Sequence, residues 1–370
     1  MAGPARYDPL TSPVGHSAEL PTAHRWPPPP QAEAPSRRRG RTGLVVVLAV
    51  LVVLVTAAGG LIAVSETLGD NVARIPDPFT GLDQAERPAA TAALTFLLVG
   101  TDSRSTDPTT GSGAAAPAFV PGAQRSDVVM LAQFSPDRRT ASVVSIPRDS
   151  WVAIPGRGMS KVNAAYSVGG AALLVETVEQ LTKVRVDHFA VIDFAGFRSV
   201  VDAIGGVDVA VAAPTSSAGV QFHQGVNHLD GDGALVYVRQ RDDLPGGDLA
   251  REARQQNVLR AVLDRISATD LLAHPLELYA FLDAITRSIS LDATLTNAAL
   301  RSMVLDLRHL RPGGVVFVST PVLGPAFEGA QSVVLLDGAR DAELWAALRG
   351  GSPTDYAERH PGDLLAPSPP

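Results

Sequence analysis

The chain has 370 residues, 45 % of them hydrophobic, 19 % charged and 5 % aromatic, with no Cys and a net charge of −7. That length fits one large domain or two ordinary ones, and the apolar fraction supplies a substantial core. The acidic balance argues against wholesale nucleic-acid binding. The missing cysteines exclude a disulfide framework, Cys-ligated metal centres and a thiol nucleophile.

Residues 1–41 are rich in Pro, Ala and polar residues, with Pro27 to Pro30 in the middle. Such a segment cannot bury enough apolar surface to fold, so a disordered cytoplasmic tail is expected. Residues 42–65 carry no charge, and Leu44 to Val55 is almost purely aliphatic. A bilayer core of ~30 Å needs ~20 apolar residues as helix, so a transmembrane helix is expected over 42–65. Arg37, Arg38, Arg39 and Arg41 precede it; Glu66 and Asp70 follow. Positive flanks stay inside, which makes the anchor single-pass and places everything beyond ~66 outside the cell membrane. Residues 66–92 read as a connector, 93–349 as one folded domain and 350–370 as a flexible C-terminal tail.

Within the domain, strands are expected over 94–99, 128–134, 140–146, 186–194, 207–211 and 315–319. Helices are expected over 171–181, 196–204, 248–268, 271–287, 294–309 and 341–348, and a short capped helix over 230–238. Mixed strands with interspersed helices indicate a layered α/β domain, and the hairpins mean that its sheet is not purely parallel.

Polar residues gather at the strand ends. Gly100-Thr101-Asp102-Ser103-Arg104 leaves the first strand, where open α/β sheets place ligands; taken alone, it reads more readily as a turn. Arg125-Ser126-Asp127 enters the second. If the two strands pair antiparallel, Asp102 and Asp127 face each other across one sheet edge. Two carboxylates with phosphate oxygens suit Mg²⁺, which takes hard oxygen ligands; the bland alternative is a pair of surface acids. Pro147 stops the third strand and sets Arg148 on a rigid rim. Lys161 follows a Gly-rich loop. Arg239 and Arg241 would point to one side of an extended chain, as a two-pronged cationic site. On the long helix, Gln255, Leu259, Val262 and Ile266 share a face that reaches Arg251 one turn earlier. An inward-aimed Arg needs a partner or a polar cavity. Several Arg, one Lys and two Asp from separate regions are what phosphoryl transfer requires: cations to offset charge, a metal and in-line placement. There is no zinc-spaced His cluster, nucleophile elbow, Walker loop or dinucleotide fingerprint.

Taken in order, these stretches resemble the LytR-CpsA-Psr family over roughly 93–345. Gly100 to Arg104, Arg125 to Asp127, Ser145-Ile146-Pro147-Arg148-Asp149 and Lys161 to Tyr166 fall in family order. Asp193-Phe194, Gly205-Gly206-Val207, Leu229-Asp230-Gly231, Tyr237-Val238-Arg239-Gln240-Arg241, Gly247-Asp248 and Arg254-Gln255-Gln256 continue the match. Departures are mild: Lys183 stands where a Gly is common, and Leu249-Ala250 replace an aromatic-Gly pair.

The resemblance implies a layered αβα domain with a central mixed sheet and a groove for a polyprenyl chain. It implies a phosphotransferase that moves a glycan phosphate from a polyprenyl-pyrophosphate carrier onto peptidoglycan, releasing polyprenyl phosphate. Polymers handled in this way include teichoic acids, capsular polysaccharides and arabinogalactan. By position, Asp102 and Asp127 match metal-linked acids for Mg²⁺, with Mn²⁺ as a substitute. Arg148, Lys161, Arg239, Arg241, Arg251 and Gln255 match the pyrophosphate-binding set, and Arg104 and Arg125 are counted with it. Asp102, Arg148 and Arg239 are the expected catalytic residues. The alternatives are a polyprenyl-pyrophosphate hydrolase and a non-catalytic, membrane-anchored envelope regulator.

Overall fold

The computed structural model describes residues 62–103, 109–111, 114, 121–122, 124–241, 244–268, 274–307, 310 and 313–370. The span expected over 42–65 therefore lies almost wholly outside the described residues, among which no helix is long and apolar enough to cross a membrane.

In chain order the elements are α1 (Ile62–Asn71), β1 (Ala73–Ile75), β2 (Leu94–Ser103), β3 (Gln124–Phe134), β4 (Ala141–Ser145), β5 (Trp151–Ile154), β6 (Gly158–Lys161) and α2 (Val162–Thr182). Next come β7 (His188–Asp193), α3 (Phe194–Ala203), β8 (Val207–Val211), β9 (Thr215–Ser217), β10 (Val220–Phe222), β11 (Gly225–Leu229), α4 (Gly231–Arg239) and α5 (Asp248–Ala268). The chain continues through α6 (Pro275–Ser288), β12 (Ile289–Asp292), α7 (Asn297–Leu307), β13 (Val315–Ser319), β14 (Val322–Glu328), β15 (Gln331–Leu336), α8 (Gly338–Gly350) and α9 (Pro353–Arg359).

Seven strands form one mixed sheet in the order β1-β12-β7-β2-β3-β4-β13. β2 runs parallel to β7 and antiparallel to β3, and β12 runs antiparallel to β7. The carboxyl ends of β2, β4, β7 and β13 and the amino ends of β1, β3 and β12 thus share one edge, and the site forms there. Side chains alternate across the sheet. Leu97, Leu131 and Val144 pack on one face with Leu174 and Val178 of α2 and Trp345 of α8. Phe96, Met130 and Val143 pack on the other with Leu263 of α5 and Met303 of α7. A third cluster joins Leu68, Val201, Val209, Tyr237, Val258 and Phe281. The result is a layered αβα domain around a central mixed sheet.

Several boundaries differ from expectation, each for a physical reason. The helix expected from 171 is the second of two helical segments of α2; the first starts at Val162, and the two meet at a kink where Gly170 (φ 64°, ψ −152°) leaves helical geometry. Phe194 belongs to α3, since the Asp193 carboxylate caps that helix by accepting from Gly196 N at 2.8 Å. The connector is partly structural: α1 packs in the third cluster through Leu68, and β1 pairs with β12. The stretch expected as a flexible tail folds into α9 and a 3-10 turn (Pro361–Asp363). Beyond the turn, Arg260 donates to the Ala366 and Pro367 carbonyls at 3.0 and 2.7 Å, and Leu365 N donates to Phe317 O at 3.1 Å.

Candidate functional site

The pairing of β2 with β3 is what aims Asp127. Gly100 lies opposite Val128 and Thr101 opposite Ser126, which leaves Asp127 as the extra residue of a bulge. Bulges re-aim side chains near functional sites. A Cβ on Gly100 would sit 2.8 Å from Val128 Cγ2, so only glycine permits this close crossing. The expected antiparallel pairing is present; the backbone of Asp102 is in register with Arg125, one position beyond the bulge.

Asp127 forms an ion pair with Arg148 Nη1. Arg148 Nη2 lies 3.4 Å from Asp248 Oδ1, which also takes Arg251 Nη2 at 2.7 Å. Arg148 Nε is 4.0 Å from Asp149 Oδ2, and Asp149 Oδ1 receives Lys161 Nζ at 3.1 Å. Burial pulls the Arg148 guanidinium down, but Asp127, Asp248 and Asp149 outweigh it, and the net displacement is upward. Arg251 is displaced downward, chiefly by burial and further by Arg148, against the attraction of Asp248.

A pocket of about 300 Å³ opens over this network, lined by Asp127, Arg148, Arg239, Arg241, Arg251 and Gln255, with Phe194 and Val238 at its apolar side. The Arg239 guanidinium stacks 4.4 Å above the Phe194 ring. Arg239 closes α4, and Gln240 follows in extended geometry (φ −58°, ψ 131°). Arg239 and Arg241 are thus neither both helical nor both extended, yet they reach one pocket.

Beside it lies an apolar cavity of about 200 Å³ between the sheet and helices α3, α4 and α5. Its walls include Leu98, Met130, Ile192, Phe197, Leu259 and Leu291, and it shares Phe194, Val238 and Gln255 with the cationic pocket. The single helix face read from the sequence does both jobs: Leu259 and Val262 line the cavity, Gln255 lies at the junction and Arg251 lies in the pocket.

Of the expected residues, Arg148, Arg239, Arg241, Arg251, Gln255 and Asp127 converge. Lys161 reaches the network only through Asp149, Arg125 is exposed and does not line the pocket, and Arg104 and the Asp102 side chain lie outside the described residues. Among the described residues no group of three or more potential ligands is arranged to hold a metal ion. Asp127, an oxygen donor at the pocket wall, has the chemistry that Mg²⁺ prefers, and this ion commonly takes one or two carboxylates and completes its shell with phosphate oxygens and water.

Three contributors were missed as site residues. Asp248 bridges two arginines from the first turn of α5, and its i, i+3 spacing to Arg251 was the available signal. Gln256, fully buried, donates to Ser145 Oγ at 2.7 Å and Val318 O at 2.9 Å, which clamps α5 to the sheet edge. Glu252 is buried in a cavity of about 10 Å³ behind the pocket, with Asp127, Arg148, Asp248 and Arg251 on its walls. Neither of its oxygens has a hydrogen-bond partner among the described residues. Burial, reinforced by Asp248 and opposed by Arg251, pushes its carboxyl up to about 8. Arg254, by contrast, is scaffold: it is fully buried, stacks 4.4 Å from the Tyr237 ring and donates to Gln240 Oε1 at 2.6 Å and Thr215 Oγ1 at 3.0 Å.

Fold and site together define a mixed-sheet α/β protein whose arginine-lined pocket adjoins an apolar cavity. Residues 68–349 match the LytR_cpsA_psr family, and the chain belongs to that family. It is 33 % identical over 270 residues to the probable cell wall biosynthesis protein LcpB of Corynebacterium glutamicum, covering 72 % of this chain and 63 % of that protein. It is 39 % identical over 142 residues to the polyisoprenyl-teichoic acid–peptidoglycan teichoic acid transferase TagU of Bacillus mycoides, covering 38 % of this chain and 47 % of that one. The chain thus spans less than two thirds of the length of these curated relatives. Among solved structures, TagT bound to LIIa-WTA superposes with a TM-score of 0.55 at 25 % identity, over 73 % of this chain and 98 % of that one.

Proposed function

We propose that this protein is a membrane-anchored phosphotransferase, with its N-terminus cytoplasmic and its catalytic domain outside the cell. It transfers a phosphorylated glycan from a polyprenyl-pyrophosphate carrier to a peptidoglycan hydroxyl. The observation that carries the reading is the junction at Phe194, Val238 and Gln255, where a guanidinium-lined pocket meets an apolar cavity. A diphosphate attached to an isoprenoid has that same division of chemistry. Kinship with a teichoic acid transferase supports the same reaction class.

In this scheme Arg148, Arg239, Arg241 and Arg251 neutralise the diphosphate with charge-assisted hydrogen bonds, and Gln255 orients it at the junction. Their positive charge exceeds that of the carboxylates among them, so the pocket attracts anions despite the acidic chain. Asp127, together with Asp102, would hold Mg²⁺, which when bound offsets charge on the phosphate oxygens. An acceptor hydroxyl, the 6-hydroxyl of N-acetylmuramic acid in this proposal, attacks the glycan-side phosphorus. A new P–O bond forms as the bridging P–O bond breaks, polyprenyl phosphate leaves, and the hydroxyl proton passes to a carboxylate, assigned here to Asp102.

The test is transfer from lipid-linked glycan to peptidoglycan by the full chain. Arg148→Ala and Arg239→Ala should each lower the rate at least ~100-fold, as loss of a charge-stabilising group does. Unchanged transfer in either variant rejects the assigned roles. Equal release of polyprenyl phosphate with and without acceptor identifies a hydrolase instead.

A further inference from the structure

α1 and α6 end at the sheet edge that carries the site, and each passes into a strand within two residues. These strands, β1 and β12, are parallel neighbours with Ala73 opposite Ser290 and Ile75 opposite Asp292. The helices lie side by side: Leu68 is buried in one cluster with Phe281, Leu282 and Ile285, and Asn71 Nδ2 donates to Asp283 Oδ1 at 2.9 Å. With Leu68 packed among Phe281, Leu282 and Ile285, the first turn of α1 lies beside the first turns of α6.

Those two α6 residues have no reason to face water. Leu276 is 85 % exposed and Tyr279 43 %, and their i, i+3 spacing puts them on one helix face. Glu277, the acid of the same first turn, is exposed about 100° round the helix from Leu276, and further along α6, toward the sheet, Arg287 pairs with Asp283 at 2.8 Å. These first turns of α6 thus lie beside the start of α1, the helix that follows the uncharged stretch Leu44 to Val55 in sequence.

We propose that the first turns of α6 dock on the lipid bilayer, with Leu276 and Tyr279 seated in the outer headgroup region beside the anchor. This rests on the anchored reading above. Tyr is a characteristic interfacial residue, and a Leu on the adjacent turn adds apolar burial at the same depth. α6 runs from those turns to the site-bearing edge over 14 residues, about 20 Å, so docking there holds that edge within about 20 Å of the headgroup region. The tether alone would leave the domain free to tumble.

The cysteine-free chain allows a direct test with single-Cys variants carrying an environment-sensitive fluorophore. The full chain is reconstituted in vesicles of phosphatidylcholine and phosphatidylglycerol, with or without brominated acyl chains. Labels at Leu276→Cys and Tyr279→Cys should lose roughly half their emission to bromine, as expected for groups seated ~5–10 Å deep. A label at Arg139→Cys, exposed in the turn at the opposite sheet edge, should be unaffected. Unquenched labels at 276 and 279 on vesicle-bound protein overturn the docking and leave the anchor standing. Protein that washes off the vesicles overturns the anchor and the docking together.

Discussion

Replacing Glu252 with Gln removes a carboxyl whose surroundings favour its neutral form, and the effect on stability has a sign that pH reveals. The side chain is 7 % exposed and lacks a hydrogen-bond partner among the described residues. Burial, then Asp248, push it from 4.5 up to about 8. Between those values the folded chain holds a proton that the unfolded chain has released. Stability therefore falls as pH rises through this window, by about 1.4 kcal/mol per pH unit. The accumulated cost is roughly 3 kcal/mol at pH 7 and levels off at roughly 5 above pH 8. Gln keeps the shape without the titration but adds an unpaired N–H, which costs ~1 kcal/mol. Glu252→Gln should thus be slightly less stable than the wild type near pH 4.5 and about 2 kcal/mol more stable at pH 7. In a domain of this size that is roughly 4–8 °C in melting temperature. Thermal unfolding of both proteins followed by circular dichroism from pH 4.5 to 9 measures it. A difference that does not change with pH would refute the reasoning, because a purely steric role for Glu252 gives a flat line.

Three other perturbations separate the parts of the site. Asp127→Asn removes one carboxylate from Arg148, so inorganic pyrophosphate should bind at least as well without Mg²⁺ and lose most of any enhancement by Mg²⁺; calorimetry with and without the ion reads both. Ala190→Phe places a ring in the apolar cavity from the sheet floor; binding of polyprenyl phosphate should fall at least ~10-fold, while inorganic pyrophosphate, which needs only the cationic pocket, should bind within ~2-fold of the wild type. Arg254→Ala strips buried partners from Gln240 and Thr215 and should cost on the order of 3 kcal/mol in urea unfolding.

Legibility in the sequence followed the range of the forces involved. The central strands and the α5 face were readable because burial imposes periods of 2 and 3.6 on neighbouring residues. The convergence of Asp127, Arg148 and Arg251 was readable because strand ends and helix starts collect at one edge of an α/β sheet. β1 and β12 were not, because three or four residues carry too little pattern and only their partners stabilise them. Lys183 showed as a departure from a common Gly, and the structure explains the preference: it closes α2 in the left-handed region at φ 53°, where glycine carries no Cβ strain. Glu252 resembles a solvated charge between Arg251 and Arg254. Nothing local reveals that the first turns of α5 are covered on nearly every side.

The C-terminal stretch makes the same point in reverse. Its Pro-rich composition suggests a loose tail, since proline lacks the N–H that regular structure uses. Proline keeps its carbonyl, however, and a buried or half-buried arginine has five donors to place. Arg260 takes the carbonyls of Ala366 and Pro367, and Arg254 Nε donates to the main-chain oxygen of Pro370 at 2.7 Å. A segment poor in N–H donors is thus held, beside its one strand contact through Leu365 N, by side chains that only donate. Because both arginines project from α5, this docking braces the helix whose opening turns hold Asp248, Arg251 and Gln255 in place. Pairing of that kind joins distant stretches of chain through complementary hydrogen-bond deficits, and no reading of composition within either stretch would expose it.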